Sequence, residues 1–460
     1  MIDIHALVER VMTLEPDDRA HHSAIRCVVD WAGCALAGST HRAATAVAAA
    51  TGAIGHGDRC TLVGRNERAA EYTAALVNGT ASHVLDFDDV NVTMIGHPAV
   101  VVMPAALAAA EASGASGPEM LGAVVVGYEI AEALGAAVNP AHYEQGWHAT
   151  ATLGCVAATG AVAKVLGLDV ATSARAVSLA TTQAGGVRAM FGTHGKSFHA
   201  GRAAASGILS AHLAGAGLEV PEDVWVGPAG YLYASGWVPD PSSAQSGTGD
   251  GQGSGANVTA VRDTRRQAAI HRTAFKGHAA CGATHCAIDA VASLVADYQL
   301  AASDIAAIEL EVHPLAVQAA GIAQPATGLE GKFSLRHTAA QAVLAYPLLP
   351  SCFTDEAVTD PLVGALRDRV RVSVDKSFSY DEAMPARTRV TTTDGRSYER
   401  YVDVPRGRPG NPMTDDELSA KFLALAEPVL GAGRARDSLA ALWKVGDVRD
   451  VAETTRQLAR

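Results

Sequence analysis

Aromatic residues are scarce in this 460-residue chain, at 5%, and so are charged ones, at 18%. The first shortage means that a core must be built from Ala, Val, Leu and Gly. The second excludes global disorder, which requires low hydrophobicity together with high net charge. Positive charge is short too: 36 Lys and Arg face 48 Asp and Glu, for a formal charge of −12. With no basic run in the chain, nucleic acid and anionic membrane surfaces are not expected as partners. An anionic substrate would need its counter-charge concentrated locally. The cysteines are odd in number, seven, and sit apart in apolar contexts at 27, 34, 60, 155, 281, 286 and 352. They read as buried small hydrophobes in a reducing cytoplasm, not as a disulfide framework. Apolar stretches are interrupted early: Pro104 and Glu111 break one, and His148 and Lys164 bound another. Neither reaches the roughly 20 residues of a spanning helix. The opening MIDIHALVERVMTLEPDDRA carries charges throughout and reads as an amphipathic helix, not a signal peptide. A soluble cytoplasmic protein is expected.

What is present is Ala-rich helix. At about 150 residues per domain the length suggests two or three domains. Segments 101–112, 118–135, 150–166, 173–185 and 198–215 carry small or apolar residues at i, i+3, i+4 and i+7. Small residues let facing helices approach closely, so the core can be dense without rings. At 238–257 the composition turns to Gly, Ser and Asp without apolar periodicity, the signature of a flexible loop. Beyond it helix and strand alternate: a helix at 283–298, a strand at 305–314, a helix at 334–346 and a strand at 369–375. Residues 387–404 alternate about Asp394-Gly395, a two-residue hairpin signal. The chain returns to helix from Asp415. The expected fold is mostly α: a large all-helical domain from both chain ends (1–265 and 413–460) with an inserted, smaller α+β domain (266–412).

Four clusters carry polar chemistry. In SHVLDFDDVNVTMIGHP (82–98), Asp86, Asp88 and Asp89 stand where an apolar helix gives out, with His97 following. If the helix persists, Asn78, Ser82 and Asp86 share a face. Helix capping accounts for such residues, and so does a carboxylate that orients a histidine or moves a proton. His148 opens an apolar helix, as a structural hydrogen-bonding group or an acid–base. In GTHGKSFHAG (192–201), Lys196 stands between His194 and His199. A Walker A loop would need glycine at Met190 and a preceding strand, so the phosphate-loop reading fails. A lysine at a helix start still suits a carboxylate or phosphate. In FKGHAACGATHCAIDA (275–290), Lys276 precedes His278, Cys281, His285 and Cys286. Their spacing is not a standard zinc pattern, and buried thiols on the first turns of a helix are the better reading. No metal is expected. Together these parts suit proton transfer at a carbon activated by neighbouring carboxylates, with cations stabilising enolate-like charge.

The order of VNGTASHVLDFDD, GHP, GYEI, GWHATATLG, the GK-xx-H-AG run, FKGHAACGATH and GRPGNPMTDDELSAKF resembles the MmgE/PrpD family over essentially the whole chain. That family includes 2-methylcitrate dehydratases, cis-aconitate decarboxylases and an iminodisuccinate epimerase. The resemblance implies a helical domain with a lid-like α+β domain, commonly a homodimer, working without metal or organic cofactor. It implies an active site between the domains with Asp86, His97, His148, Lys196 and Lys276. His97 or His148 would be the acid or base, Asp86 would orient a histidine, and the two lysines would hold carboxylates. His199, His278, Cys281 and His337 would line the substrate site, and lid closure would exclude water. Val90, Cys281 and His337 depart from the family pattern, which more often has threonine, histidine and tyrosine there. The expected activity is elimination of water from a small hydroxy-polycarboxylate, 2-methylcitrate-like. Decarboxylation of a cis-aconitate-like acid or epimerisation of a related dicarboxylate is the alternative, and a non-catalytic ligand binder ranks last.

Overall fold

A computed structural model describes residues 3–52, 57–221, 224–236, 268–378 and 383–460. The Gly/Ser-rich stretch 238–257 and the expected boundary at 265/266 lie outside the described residues. The chain forms two compact units. The first holds the described residues of Met1–Val84, Asp88–Thr273 and Asp415–Arg460; the second holds Leu85–Phe87 with Ala274–Thr414. The fold is mostly α with a smaller α+β part, as the periodicity predicts.

The first unit contains α1 (Ile4–Met12), α2 (Asp18–Gly38), α3 (Arg42–Gly52), α4 (Glu71–His83), α5 (Ala99–Ser113), α6 (Gly117–Val138), α7 (Ala141–Glu144), α8 (Ala149–Val165), α9 (Val170–Ala180) and α10 (His194–Gly215). A short antiparallel pair, β1 (Cys60–Thr61) and β2 (Arg68–Ala69), precedes α4. The single helix expected at the start of the chain is two, because the Asp17 carboxylate accepts from the Ala20 N–H and caps a new one. Ser116 and Glu119 form a reciprocal capping box at the start of α6. Among the described residues α6 is the one helix long and apolar enough to cross a membrane, and 89% of its most apolar window is buried within the protein.

Helices α4, α5, α8 and α10 pack on one another at the centre, and glycines set their spacing. A β-carbon on Gly79 of α4 would stand 2.8 Å from the Cα of Gly201 in α10. One on Gly207 of α10 would stand 2.8 Å from the Ala158 side chain of α8. Backbones that approach so closely leave no room for rings between them, which is why so few aromatics suffice. Six of the seven cysteines are buried, Cys281 is partly exposed, and none forms a disulfide.

The second unit carries a four-stranded sheet in the order β4 (Val370–Val374), β3 (Ile305–Val312), β5 (Ala386–Thr392), β6 (Ser397–Val402). β3 and β4 run parallel and the other pairs antiparallel. In β3, Ile308, Leu310 and Val312 alternate inward as expected, and an irregularity between Ile305 and Ala307 lets Ile305 point inward as well. The hairpin loop is longer than two residues. The Thr392 N–H donates to the Arg396 carbonyl, the Asp394 carboxylate accepts from the Thr392 hydroxyl, and Gly395 takes φ +86°. This three-residue loop with a left-handed glycine replaces the tighter turn because Asp394 bonds locally on both sides.

Candidate active site

In the first unit the chain leaves α4 at His83, so Asn78 and Asp86 do not share a continued helix. Asn78 instead clamps the β1 region, accepting from the Val63 N–H and donating to the Thr61 carbonyl. The residues after the helix end build a polar cluster. The His83 Nδ1 lies 2.9 Å and the His97 Nδ1 3.0 Å from the same Asp88 oxygen, Oδ2. The His97 Nδ1 also lies 2.6 Å from the Asp89 carbonyl. Asp89 accepts from the Tyr128 hydroxyl and, through its other oxygen, from the Ala99 N–H at the start of α5. Tyr128 belongs to the GYEI motif, which thereby anchors the aspartate pair.

His97 follows a tight turn closed by mutual hydrogen bonds of Asn91 and Gly96. Its own N–H donates to the Thr150 hydroxyl on the first turn of α8. His148 stands just before that turn, its N–H on the Gly186 carbonyl. The rings of His83 and His148 are nearly parallel, with centroids 5.8 Å apart. The Nδ1 atoms of His148 and His199 lie 3.2 Å apart, so one donates and the other accepts. A β-carbon on Gly186, at φ +142°, would stand 3.1 Å from the His199 Nδ1, so glycine lets the backbone pass here. Phe191 meets the His148 ring edge-on, and the Lys196 Nζ lies 5.5 Å from the Phe191 ring centre.

Charge in this cluster is divided. Burial pushes His83 down to about 4 against the opposing pull of Asp88, with Lys196 adding to the fall. Burial also lowers His148 strongly, helped by His83, Lys196, His97 and His199, and it lowers His199. Near neutrality these three imidazoles are uncharged. Burial opposes ionisation of Asp88, yet the two histidines hold its carboxyl well below the ordinary range. Asp89 goes the other way, pushed up by burial and by Asp88 and Asp30.

The second unit gathers a different set. The Lys276 Nζ lies 3.1 Å from the Asp86 carboxylate and donates to the Asp86 carbonyl. Asp86 adopts φ +54°, a left-handed conformation that aspartate tolerates better than most residues. Lys332, which sequence reasoning did not single out, is buried and donates to the carbonyls of Leu85 and Ala279. Its Nζ lies 4.8 Å from the centre of the Phe353 ring. His278 has both ring nitrogens engaged: Nε2 on Asp289, and Nδ1 accepting from the Leu348 N–H. Asp289 accepts as well from the Tyr346 hydroxyl and the Arg406 N–H. The Cys281 N–H donates to the Lys332 carbonyl. His337 is fully buried, its Nε2 on the Cys352 carbonyl and its ring against Phe353.

Residues 3–241 match the family model of the MmgE/PrpD N-terminal domain, and residues 278–445 match that of the MmgE/PrpD C-terminal domain. The chain belongs to the MmgE/PrpD family. Its relatives include a cis-aconitate decarboxylase-like protein of Aspergillus oryzae, 27% identical across 82% of this chain and 80% of that protein. The cis-aconitate decarboxylase of Aspergillus terreus is 25% identical across 82% of this chain and 79% of its own length. That of Homo sapiens is 28% identical across 84% of this chain and 79% of its own.

Of the positions that the MmgE/PrpD resemblance singles out, His97, His148, Lys196 and His199 come together in the first unit. Asp86 and Lys276 pair in the second. In the first unit's cluster the carboxylate beside His97 is Asp88. His83 and Asp88 were missed as a pair, although the five-residue spacing across a helix end was there to be read. Among the described residues His83, Asp88 and His97 are also the one set of three whose potential metal-ligand atoms lie within 4.8 Å of one another. The donor set does not fit a metal: a carboxylate and a carbonyl only accept, so the converging Nδ1 atoms carry hydrogens.

Proposed function

We propose that the chain is a lyase acting on a small polycarboxylate, and that it eliminates water from a 2-methylcitrate-like hydroxy acid by histidine acid–base chemistry. The observation that carries this reading is the cluster of imidazoles held uncharged by burial beside the Lys196 ammonium. Elimination begins with removal of a proton from the carbon next to a carboxylate, and an uncharged imidazole offers the lone pair for it. The electrons of that C–H bond form the new C=C bond, and the C–O bond breaks. The imidazolium formed in the first step gives that proton to the departing hydroxide, which leaves as water and closes the proton balance. Lys196, near the N-terminus of the 22-residue α10, suits the substrate carboxylate and the enolate-like charge that develops on it.

Decarboxylation of a cis-aconitate-like acid is the second reading, favoured by the names of the relatives from Aspergillus terreus and Homo sapiens. It breaks a C–C bond to release CO₂ and then needs only protonation of the carbanion, so the same imidazoles would act as acids.

The two are separated by incubating the full chain with 2-methylcitrate, citrate, cis-aconitate and iminodisuccinate, each followed by NMR for alkene formation and by CO₂ release. Alkene without CO₂ supports elimination, and CO₂ from cis-aconitate alone overturns it in favour of the second reading. His148→Ala and Lys196→Ala are expected to abolish turnover. Full activity in both variants sinks the site.

A further inference from the structure

Asp88 places one oxygen against two histidines, and this arrangement reaches beyond the generic acid–base reading on which it rests. We propose that Asp88 is a positioning residue that fixes His83 and His97 together in the Nδ1–H tautomer, leaving the Nε2 of His97 as the base of the reaction. The carboxylate cannot donate, so each Nδ1 within 3.0 Å of Oδ2 must carry the hydrogen. For His97 the Asp89 carbonyl, 2.6 Å from the same nitrogen, makes the same demand independently. In that tautomer each ring is left with a bare Nε2.

The two Nε2 atoms have different access. The His83 side chain is 0% exposed and its Nε2 is buried with no hydrogen-bond partner, whereas the His97 side chain is 15% exposed. His83 packs against both the His97 and His148 rings, with centroids 4.8 Å and 5.8 Å away, while its Nδ1 is on the Asp88 oxygen. His97 keeps the open edge. When its Nε2 takes a proton, the Nδ1–H stays on the Asp89 carbonyl, and the imidazolium is paired with the Asp88 carboxylate 3.0 Å away in a buried setting. His148 differs: its Nδ1 partner is another imidazole, that of His199. The charged groups around Asp88 include Lys196, Asp89 and Asp30, with His148 stacked on His83, and none of them offers His97 a second carboxylate contact within ion-pair distance among the described residues. Labour divides accordingly, with His97 accepting the proton and His148 staying uncharged as a hydrogen-bonding group.

The test has two arms. Long-range ¹H–¹⁵N correlation spectra of the full chain, labelled at histidine, report the tautomer directly. Nδ1–H at both His83 and His97 is expected, and a bare Nδ1 at either overturns the proposal whether or not any substrate turns over. Asp88→Ala removes the one oxygen that both Nδ1–H groups meet, and His83, whose Nδ1 has that oxygen as its acceptor, should switch tautomer while the Asp89 carbonyl still holds that of His97. In that variant kcat on whichever polycarboxylate the wild type turns over is expected to fall ~100-fold or more with KM little changed. The acid limb of the pH–rate profile is expected to move, and Asp88→Glu to restore part of kcat. Unchanged kcat with the His83 tautomer switched overturns the positioning role. Absence of wild-type turnover, with both tautomers as expected, overturns the functional reading alone.

Discussion

Gly201 of α10 lies so close to α4 that a β-carbon on it would stand 2.1 Å from the carbonyl oxygen of Leu76. The obstacle is backbone in mid-helix, and the Thr80 hydroxyl, 2.4 Å away, blocks the other side. Gly201→Ala must therefore push two central helices apart, and a cost of about 3 kcal/mol is expected. Gly122 of α6 has nothing within 4 Å of its would-be β-carbon. Gly122→Ala should instead stabilise by about 1 kcal/mol through helix propensity. Denaturant midpoints of the two variants should move in opposite directions, and a common direction would refute the close-packing account of the aromatic-poor core.

The pair of Asp86 and Lys276 makes a second prediction. Both side chains are less than a tenth exposed, and Lys276→Met takes away the ammonium that lies 3.1 Å from the buried Asp86 carboxylate. Lys276→Met is expected to cost about 3 kcal/mol, since breaking a buried pair costs more than the pair contributes. Lys276→Met combined with Asp86→Asn should recover part of that loss. A double-mutant cycle measures it, and a coupling energy near zero would show that the two charges do not depend on each other.

The uncharged histidines dictate a pH dependence of stability. His83 falls from an ordinary 6.5 to about 4 in the folded chain, so the unfolded chain binds more protons between those values. Stability is then fully present above about pH 6.5 and is lost as the pH falls toward 4, with His83 alone contributing on the order of 3 kcal/mol. His148 and His285 shift in the same direction, both through burial first, and steepen the slope. Asp89 and Asp30, whose carboxyls burial raises, act in the opposite sense, so the His83 contribution is read against His83→Gln: the drop in unfolding midpoint from pH 7 to pH 4 should be smaller in the variant. A drop as large in His83→Gln as in the wild type would contradict the assignment.

Periodicity made the architecture legible because it records which face of each helix or strand is buried. The segment expected at 150–166 is Ala149–Val165, and that expected at 334–346 is Leu335–Leu344. The site was legible only in part. The carboxylates of 82–98 were visible, but the helix ends at His83 and Asp86 turns left-handed at φ +54° beyond it, so helical spacing does not tell which of them meet. Leu85–Phe87 join the second unit because Lys276 and Lys332 reach them from 190 and 247 residues further along the chain. No local pattern encodes a contact at that separation. Lys332 escaped notice for the same reason, since its partners are backbone carbonyls and carry no sequence signature.

Ile95 supplies the last test, because it adopts φ +49°, a region that β-branched residues avoid. The conformation is imposed from both sides. The Asn91 carboxamide oxygen accepts from the Met94 N–H, and the Asn139 amide donates to the carbonyls of Thr93 and Met94. Strain of about 1–2 kcal/mol is thereby held in the turn that delivers His97. Asparagine enters the left-handed region readily, so Ile95→Asn should lose apolar contact but shed the strain. The net change in stability is expected within about 0.5 kcal/mol, where a half-buried isoleucine would ordinarily cost 1 kcal/mol or more. Ile95→Val keeps the strain and loses one methylene, so it should be the more damaging of the two by thermal midpoint. The reverse order would mean that the turn holds no strain and that His97 is placed by its Asp88, Asp89 and Thr150 contacts alone.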